Sequence, residues 1–159
     1  MRLAIAAVGR LKAGPERTLI ERYQERIGAG ARALGFSALD IAEVAESRAR
    51  REEDRRREEG AALLQRIGDS IAVAFDERGR ALDSQTFANI LARWRDEGAA
   101  SLTCVIGGAD GLAPEVRERA RLVLSFGAMT LPHQLVRVLV AEQLYRAMTI
   151  LAGHPYHRE

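Results

Sequence analysis

The sequence predicts an α/β fold with a mostly parallel sheet flanked by helices, and three observations predict it. Short apolar runs alternate with segments of helical periodicity, the pattern of consecutive strand–helix units. Apolar residues make up 47% of 159 residues, enough to fill the core of one domain spanning residues 1–159. One apolar run, Val105-Ile106, opens directly into the glycine-rich turn Gly107-Gly108-Ala109-Asp110-Gly111.

Residues 3–8 form the first expected strand, followed by a loop over 9–14. Pro15 opens a helix that runs to about Ile27; proline at the first helical position gives up an N–H that has no helical partner there. Residues 37–44 are a second, weaker strand. The spacing predicts one long helix over 46–67. Residues 70–75 are a third strand, stopped by a turn at Asp76-Glu77-Arg78-Gly79. A helix over 84–97 has Ser84 as its expected N-cap. Residues 102–106 are the fourth strand, 114–121 a short helix, 122–125 a fifth strand and 133–152 the last helix. In sheets of this kind ligands bind at the carboxyl ends of the strands, so the ends of the third, fourth and fifth strands are the first place to look for a site.

Composition narrows the function classes. The net charge is only +2, and Lys12 is the only lysine. Arginine suits bidentate phosphate contacts, so nucleic acid stays open as a partner without being demanded. Cys104 is alone, which excludes an intrachain disulfide and a cysteine metal cluster; within Leu102-Thr103-Cys104-Val105-Ile106 it reads as a small buried hydrophobe. The apolar stretch at 3–8 is too short for a signal segment, and no longer stretch free of charge suits a membrane span. The chain reads as cytoplasmic.

Four features carry candidate function. Residues 46–59 hold six arginines and six acids. Glu52 with Arg56 and Glu53 with Arg57 have i,i+4 spacing, so a solvated helix laced with ion pairs is expected. The glycine turn lacks both the Rossmann spacing and the Lys-Ser/Thr of a P-loop. It is a tight turn, or a place where backbone approaches a flat or charged ligand such as adenosine. The last helix is apolar at Leu135, Val136, Val138, Leu139, Val140, Leu144, Met148, Ile150 and Leu151, on more than one face. Such a helix is buried, and a subunit interface is the natural cover. Arg137, Glu142 and Arg146 interrupt it, as ion pairs or as groups facing a substrate. Finally, all three histidines lie in the last 27 residues. His154 and His157 lack the companions a metal site needs, so no metal is expected. Tyr156, His157 and Arg158 can stack on a base, move a proton and grip phosphate, and after Pro155 they are expected to be extended.

Taken together, Val8-Gly9-Arg10, Phe75-Asp76-Glu77-Arg78-Gly79, Val105-Ile106-Gly107-Gly108-Ala109-Asp110-Gly111, Met129-Thr130-Leu131-Pro132-His133-Gln134-Leu135-Val136-Arg137 and the terminal His154-Pro155-Tyr156-His157-Arg158-Glu159 resemble the ribosomal RNA large subunit methyltransferase H family of the SPOUT methyltransferases. The resemblance covers the whole length. It implies an α/β knot, with the C-terminal part tied in a trefoil. It implies a homodimer that transfers a methyl group from S-adenosylmethionine, without a metal, to N3 of a pseudouridine in 23S rRNA of the assembled ribosome. Cofactor contacts carry over to Phe75, Gly107 and Gly108, and to the loop Gly127, Ala128, Met129, Thr130, Leu131 and Pro132. The family more often has leucine where Phe75 stands, which keeps the pocket apolar but changes its shape. The catalytic groups implied are Tyr156, His157 and Arg158. A SPOUT methyltransferase acting on tRNA would share the knot but not this tail, and a non-catalytic RNA-binding dimer would not need it.

Overall fold

A computed structural model describes residues 1–157. In it the apolar runs become five strands: β1 (Arg2–Val8), β2 (Leu39–Val44), β3 (Ile71–Arg80), β4 (Ser101–Ile106) and β5 (Leu122–Leu124). All pair in parallel, in the order β2-β1-β4-β3-β5. Parallel neighbours need crossovers, which α1 (Pro15–Gly30), α2 (Glu52–Ile67), α3 (Ser84–Asp96) and α4 (Pro114–Arg119) supply before α5 (His133–Leu151) closes the chain. Leu3, Ile5 and Ala7 of β1 face a core shared with Ile20 of α1, Leu91 of α3 and Leu144 of α5. Ala6 and Val8 face the other core, with Leu63 of α2 and Val116 of α4. Both faces are covered, which is why the strands read as nearly unbroken apolar runs.

Four local expectations change. The helix expected from residue 46 begins only at Glu52. Ser47 donates its N–H to Glu59 Oε1 at 2.9 Å and its hydroxyl to Glu58, so residues 46–51 lie back along α2 instead of extending it. There is no tight turn at 76–79: β3 runs on to Arg80, and residues 76–79 form a break in register, with Phe75 and Arg80 both paired to Leu124. Gly79 lies so close to the Leu124 backbone that a Cβ would fall on it. The N-cap of α3 is Asp83, whose Oδ1 accepts the Thr86 N–H at 2.6 Å; Ser84 donates its hydroxyl to Gln143 at 2.8 Å instead.

The fourth change concerns α5. Its own chain covers most of it: Val138, Val140, Ala141, Leu144, Ala147 and Met148 are buried against α1, α3 and the sheet. The apolar surface left over is smaller than the sequence suggests, chiefly Leu135 with half-covered Leu139. Cys104 is fully buried and its thiol is pushed up to about 12 by desolvation, as the reading of a small hydrophobe requires. No helix among the described residues is long and apolar enough to cross a membrane.

Candidate active site

The carboxyl ends of β3, β4 and β5 open into a cleft of about 280 Å³. Three stretches wall it: Phe75 with residues 76–78, the glycine turn after β4, and the loop between β5 and α5. Phe75, Ile106, Leu124, Phe126, Leu131 and Val136 give it an apolar lining, while Arg56, Asp76, Arg78, Asp110 and Arg117 bring charge to it. An apolar wall with a few polar groups suits a flat ligand that carries charged ends.

Of the residues expected to hold a cofactor, Phe75, Gly107, Gly108, Gly127, Met129, Thr130 and Leu131 line this cleft. Ala128 and Pro132 belong to the same loop but not to the wall, and Pro132 is the residue that caps α5. Phe75 is only 8% exposed, because Phe126 stacks on it with ring centroids 5.2 Å apart and planes 16° from parallel. Sequence reasoning missed Phe126. The only signal for it was a lone aromatic immediately after the fifth strand.

The glycine turn is built for itself. Gly111 has φ +79° and donates its N–H to Gly108 at 3.1 Å. A Cβ on Gly107 would meet the Gly111 carbonyl carbon at 2.7 Å, and one on Gly108 would meet Val8 at 2.9 Å and Glu59 Oε2 at 3.1 Å. Both point into the fold. A side chain at Gly107 therefore breaks the turn before it blocks anything in the cleft. Arg55 of α2 fixes the turn from outside, with Nε to Asp110 Oδ2 at 2.6 Å and Nη2 to Oδ1 at 3.0 Å. That pair holds the Asp110 carboxyl below the usual range. Glu59 lies beneath the turn, buried, with Oε2 unpartnered among the described residues. Burial pushes its carboxyl above the usual range.

Arg137 is the largest fully buried side chain, 1% exposed. It does not face the cleft. Its Nη2 donates to Gly9 O at 2.8 Å and to Val8 O, and Nη1 lies 3.5 Å from Glu43. It ties the second turn of α5 to the end of β1. Glu142 and Arg146 pair with each other at 2.7 Å on the outward side of α5.

The tail is not extended. Pro155–His157 forms a short 3-10 turn folded onto the end of α5. Tyr156 donates its hydroxyl to Glu142 Oε1 at 3.3 Å, sets its ring edge-to-face on Tyr145 at 4.8 Å, and lies under the Arg146 guanidinium at 5.1 Å. Its N–H goes to His154 Nδ1 at 3.2 Å. Burial first, then the neighbouring Tyr23 and Glu142, push the phenol up to about 12. His157 closes the turn with its backbone, and Arg158 lies outside the described residues. The cleft meets α5 at His133 and Val136, whereas the tail leaves from its other end. The turn folds back along α5, so Tyr156 lies against Glu142, Tyr145 and Arg146, roughly 9–15 Å of helix beyond the cleft's edge at Val136. No group of three or more His, Cys, Asp or Glu side chains among the described residues is placed to hold a metal.

A family model described as predicted SPOUT methyltransferase matches residues 1–157. The chain is 59% identical to the ribosomal RNA large subunit methyltransferase H of Bradyrhizobium sp. (strain ORS 278), over 99% of this chain and 98% of that one. It is 62% identical to the protein of that name from Methylobacterium sp. (strain 4-46), with the same coverage. Among solved structures, a probable methyltransferase from Bordetella pertussis Tohama I shares the fold with a TM-score of 0.53 at 16% identity, covering 92% of this chain and 95% of that one. The tRNA (m1G37) methyltransferase of Aquifex aeolicus matches with a TM-score of 0.53 at 12% identity, covering 92% and 70%.

Proposed function

The chain belongs to the SPOUT methyltransferases, in the family of ribosomal RNA large subunit methyltransferase H, and from that premise we propose that it is a cytoplasmic homodimer that methylates N3 of a pseudouridine in 23S rRNA of the assembled ribosome, with S-adenosylmethionine as donor. The observation that carries the dimeric part is the separation of cleft and tail. In one chain Tyr156 is packed against Glu142, Tyr145 and Arg146 and does not line the cleft, so the proposed site takes its tail from a second chain. The outward stripe Leu135, Leu139, Glu142, Arg146 has helical spacing and offers an antiparallel pairing of two α5 helices about a two-fold axis. That pairing brings the tail of one protomer to the cleft of its partner.

The cleft fits the donor on its own residues. Phe75, Ile106 and Leu131 offer apolar walls for a flat base, and the turn and loop offer backbone groups for its polar edge. S-adenosylmethionine supplies a methyl group already activated on a sulfonium. The acceptor N3 must lose its proton to attack, which calls for a base or for a cation beside the developing charge. Tyr156, with its phenol pushed to about 12, stays neutral and suits holding the base by stacking and a donated hydrogen bond. His157 and Arg158 are the groups suited to take the proton or offset the charge. A trefoil path belongs to the same reading. What supports it is that the chain leaves β5 at the sheet edge, crosses the ends of β3 and β4, and enters α5 where Arg137 meets β1. The stack of Phe126 on Phe75 keeps that crossing against the strand ends.

Light scattering is expected to give a dimer at micromolar concentration. Leu139→Glu places a charge on the outward stripe, half-covered in the protomer, so the variant is expected to stay folded, run as a monomer and lose methyl transfer. A folded Leu139→Glu monomer with full activity contradicts the shared site.

A further inference from the structure

The segment 46–59 has equal numbers of arginines and acids, and the fold pairs many of them, leaving Glu46 and Glu53 exposed without an ion pair among the described residues. Glu58 and Glu59 turn toward Ser47 and hold its hydroxyl and N–H. Glu52 pairs with Arg56 at 3.4 Å, and Asp54 with Arg57 at 2.8 Å. Arg55 takes Asp110. Arg48, Arg50 and Arg51, all on the non-helical stretch, are left exposed and form no ion pair among the described residues.

Their backbone is held. Ser47 is anchored twice, the Ala49 N–H returns to Ser47 Oγ at 3.1 Å, and Arg55 Nη1 donates to the carbonyls of Ala49 and Arg50 at 3.2 and 3.1 Å. The same guanidinium grips Asp110, so one side chain fixes this loop beside the cleft. Arg56 and Arg78 carry positive charge into the cleft wall, and exposed Arg10 and Lys12 follow β1 at the same end of the sheet.

We propose that Arg48, Arg50 and Arg51 form a docking surface for the phosphate backbone of the substrate RNA, registered on the cleft by Arg55. This rests on the reading of the chain as an RNA methyltransferase. Three guanidinium forks within four residues match the recurring charge of a nucleic-acid strand, and a held loop loses little backbone freedom on docking.

The test compares the triple variant Arg48→Gln, Arg50→Gln, Arg51→Gln with a control, Arg22→Gln, Arg32→Gln, Arg66→Gln, which removes the same charge from exposed, unpaired positions elsewhere. Binding to purified ribosomes and to 23S rRNA is followed by fluorescence anisotropy across salt concentrations, with S-adenosylmethionine affinity measured alongside. The loop triple is expected to bind RNA about a hundredfold more weakly near 0.1 M salt, and to lower the slope of log affinity against log salt by about 2, since each lost phosphate contact removes about 0.7. Its S-adenosylmethionine affinity is expected to be unchanged. An unchanged slope overturns the proposal even if ribosome binding weakens, because that pattern places a ribosomal protein on the loop. A control triple that loses as much also overturns it. The anisotropy needs no catalysis, so a wild-type chain that binds RNA with this slope but methylates none would sink the enzyme reading and leave the docking surface standing.

Discussion

Deleting residues 156–159 is expected to cut methyl transfer by a hundredfold or more while leaving the fold, the dimer and the cofactor affinity in place. Base positioning and proton removal are each worth about 100-fold or more, and both are assigned to this tail. The fold is expected to survive because, among the described residues, the deletion removes the packing of Tyr156 on Tyr145 and Arg146, at the end of a helix whose core contacts lie earlier. Mixed dimers sharpen the test. A tail-deleted chain keeps its cleft, and a Leu131→Arg chain, charged in the cleft wall, keeps its tail. Neither homodimer should be active, yet co-expressed chains should recover activity, since one cleft then faces one intact tail. A truncated protein that works near the wild-type rate, or mixed dimers that recover nothing, would contradict a site shared between protomers. A same-chain site would have to release Tyr156 from Glu142, Tyr145 and Arg146 and carry it to the start of α5.

Arg137→Met is expected to destabilise the protein by about 3–5 kcal/mol, the range for breaking a buried charged interaction by removing one partner. The Val8 and Gly9 carbonyls would lose their donor in a site with no water access, and Glu43 would lose its cation. Burial pulls the Arg137 guanidinium pKa down, but a guanidinium remains charged across any working pH. In a domain of this size that loss lowers the melting temperature by roughly 10 °C. Chemical denaturation checks it, and a change under about 1 kcal/mol would mean that the carbonyls find other donors. Arg137→Lys should recover only part of the loss, since one ammonium replaces a fork that reaches two carbonyls and approaches a carboxylate.

These two side chains also mark how far the sequence could be read. The apolar runs became the strands and the helical periods became the helices, because both faces of a parallel sheet must be covered and the pattern records that need. The cleft was legible as well: its walls lie at strand ends, where the glycine turn and the loop before α5 stood out. What the sequence hid was set by contacts across long separations. Periodicity gave residues 46–51 to a helix, and Ser47 left it because two acids a helix-turn or more away captured its polar groups. Asp76-Glu77-Arg78-Gly79 looked like a turn, yet β5 drew the strand onward to Arg80. Arg137 looked like an interface ion pair or a substrate ligand. Its partners are backbone carbonyls more than a hundred residues away, and no sequence pattern encodes those. The tail pointed to a chemistry but not to a place, because its fold back onto Glu142, Tyr145 and Arg146 is set by contacts that no local pattern encodes.

The most direct measurement is methyl transfer from labelled S-adenosylmethionine to assembled ribosomes, naked 23S rRNA and tRNA in parallel, with the modified nucleoside identified by mass spectrometry. The expected result is label in the ribosome sample alone, on N3 of a single pseudouridine of 23S rRNA, and its loss with the tail deletion. Label on tRNA, or none on any RNA from a folded chain that binds RNA, would contradict it.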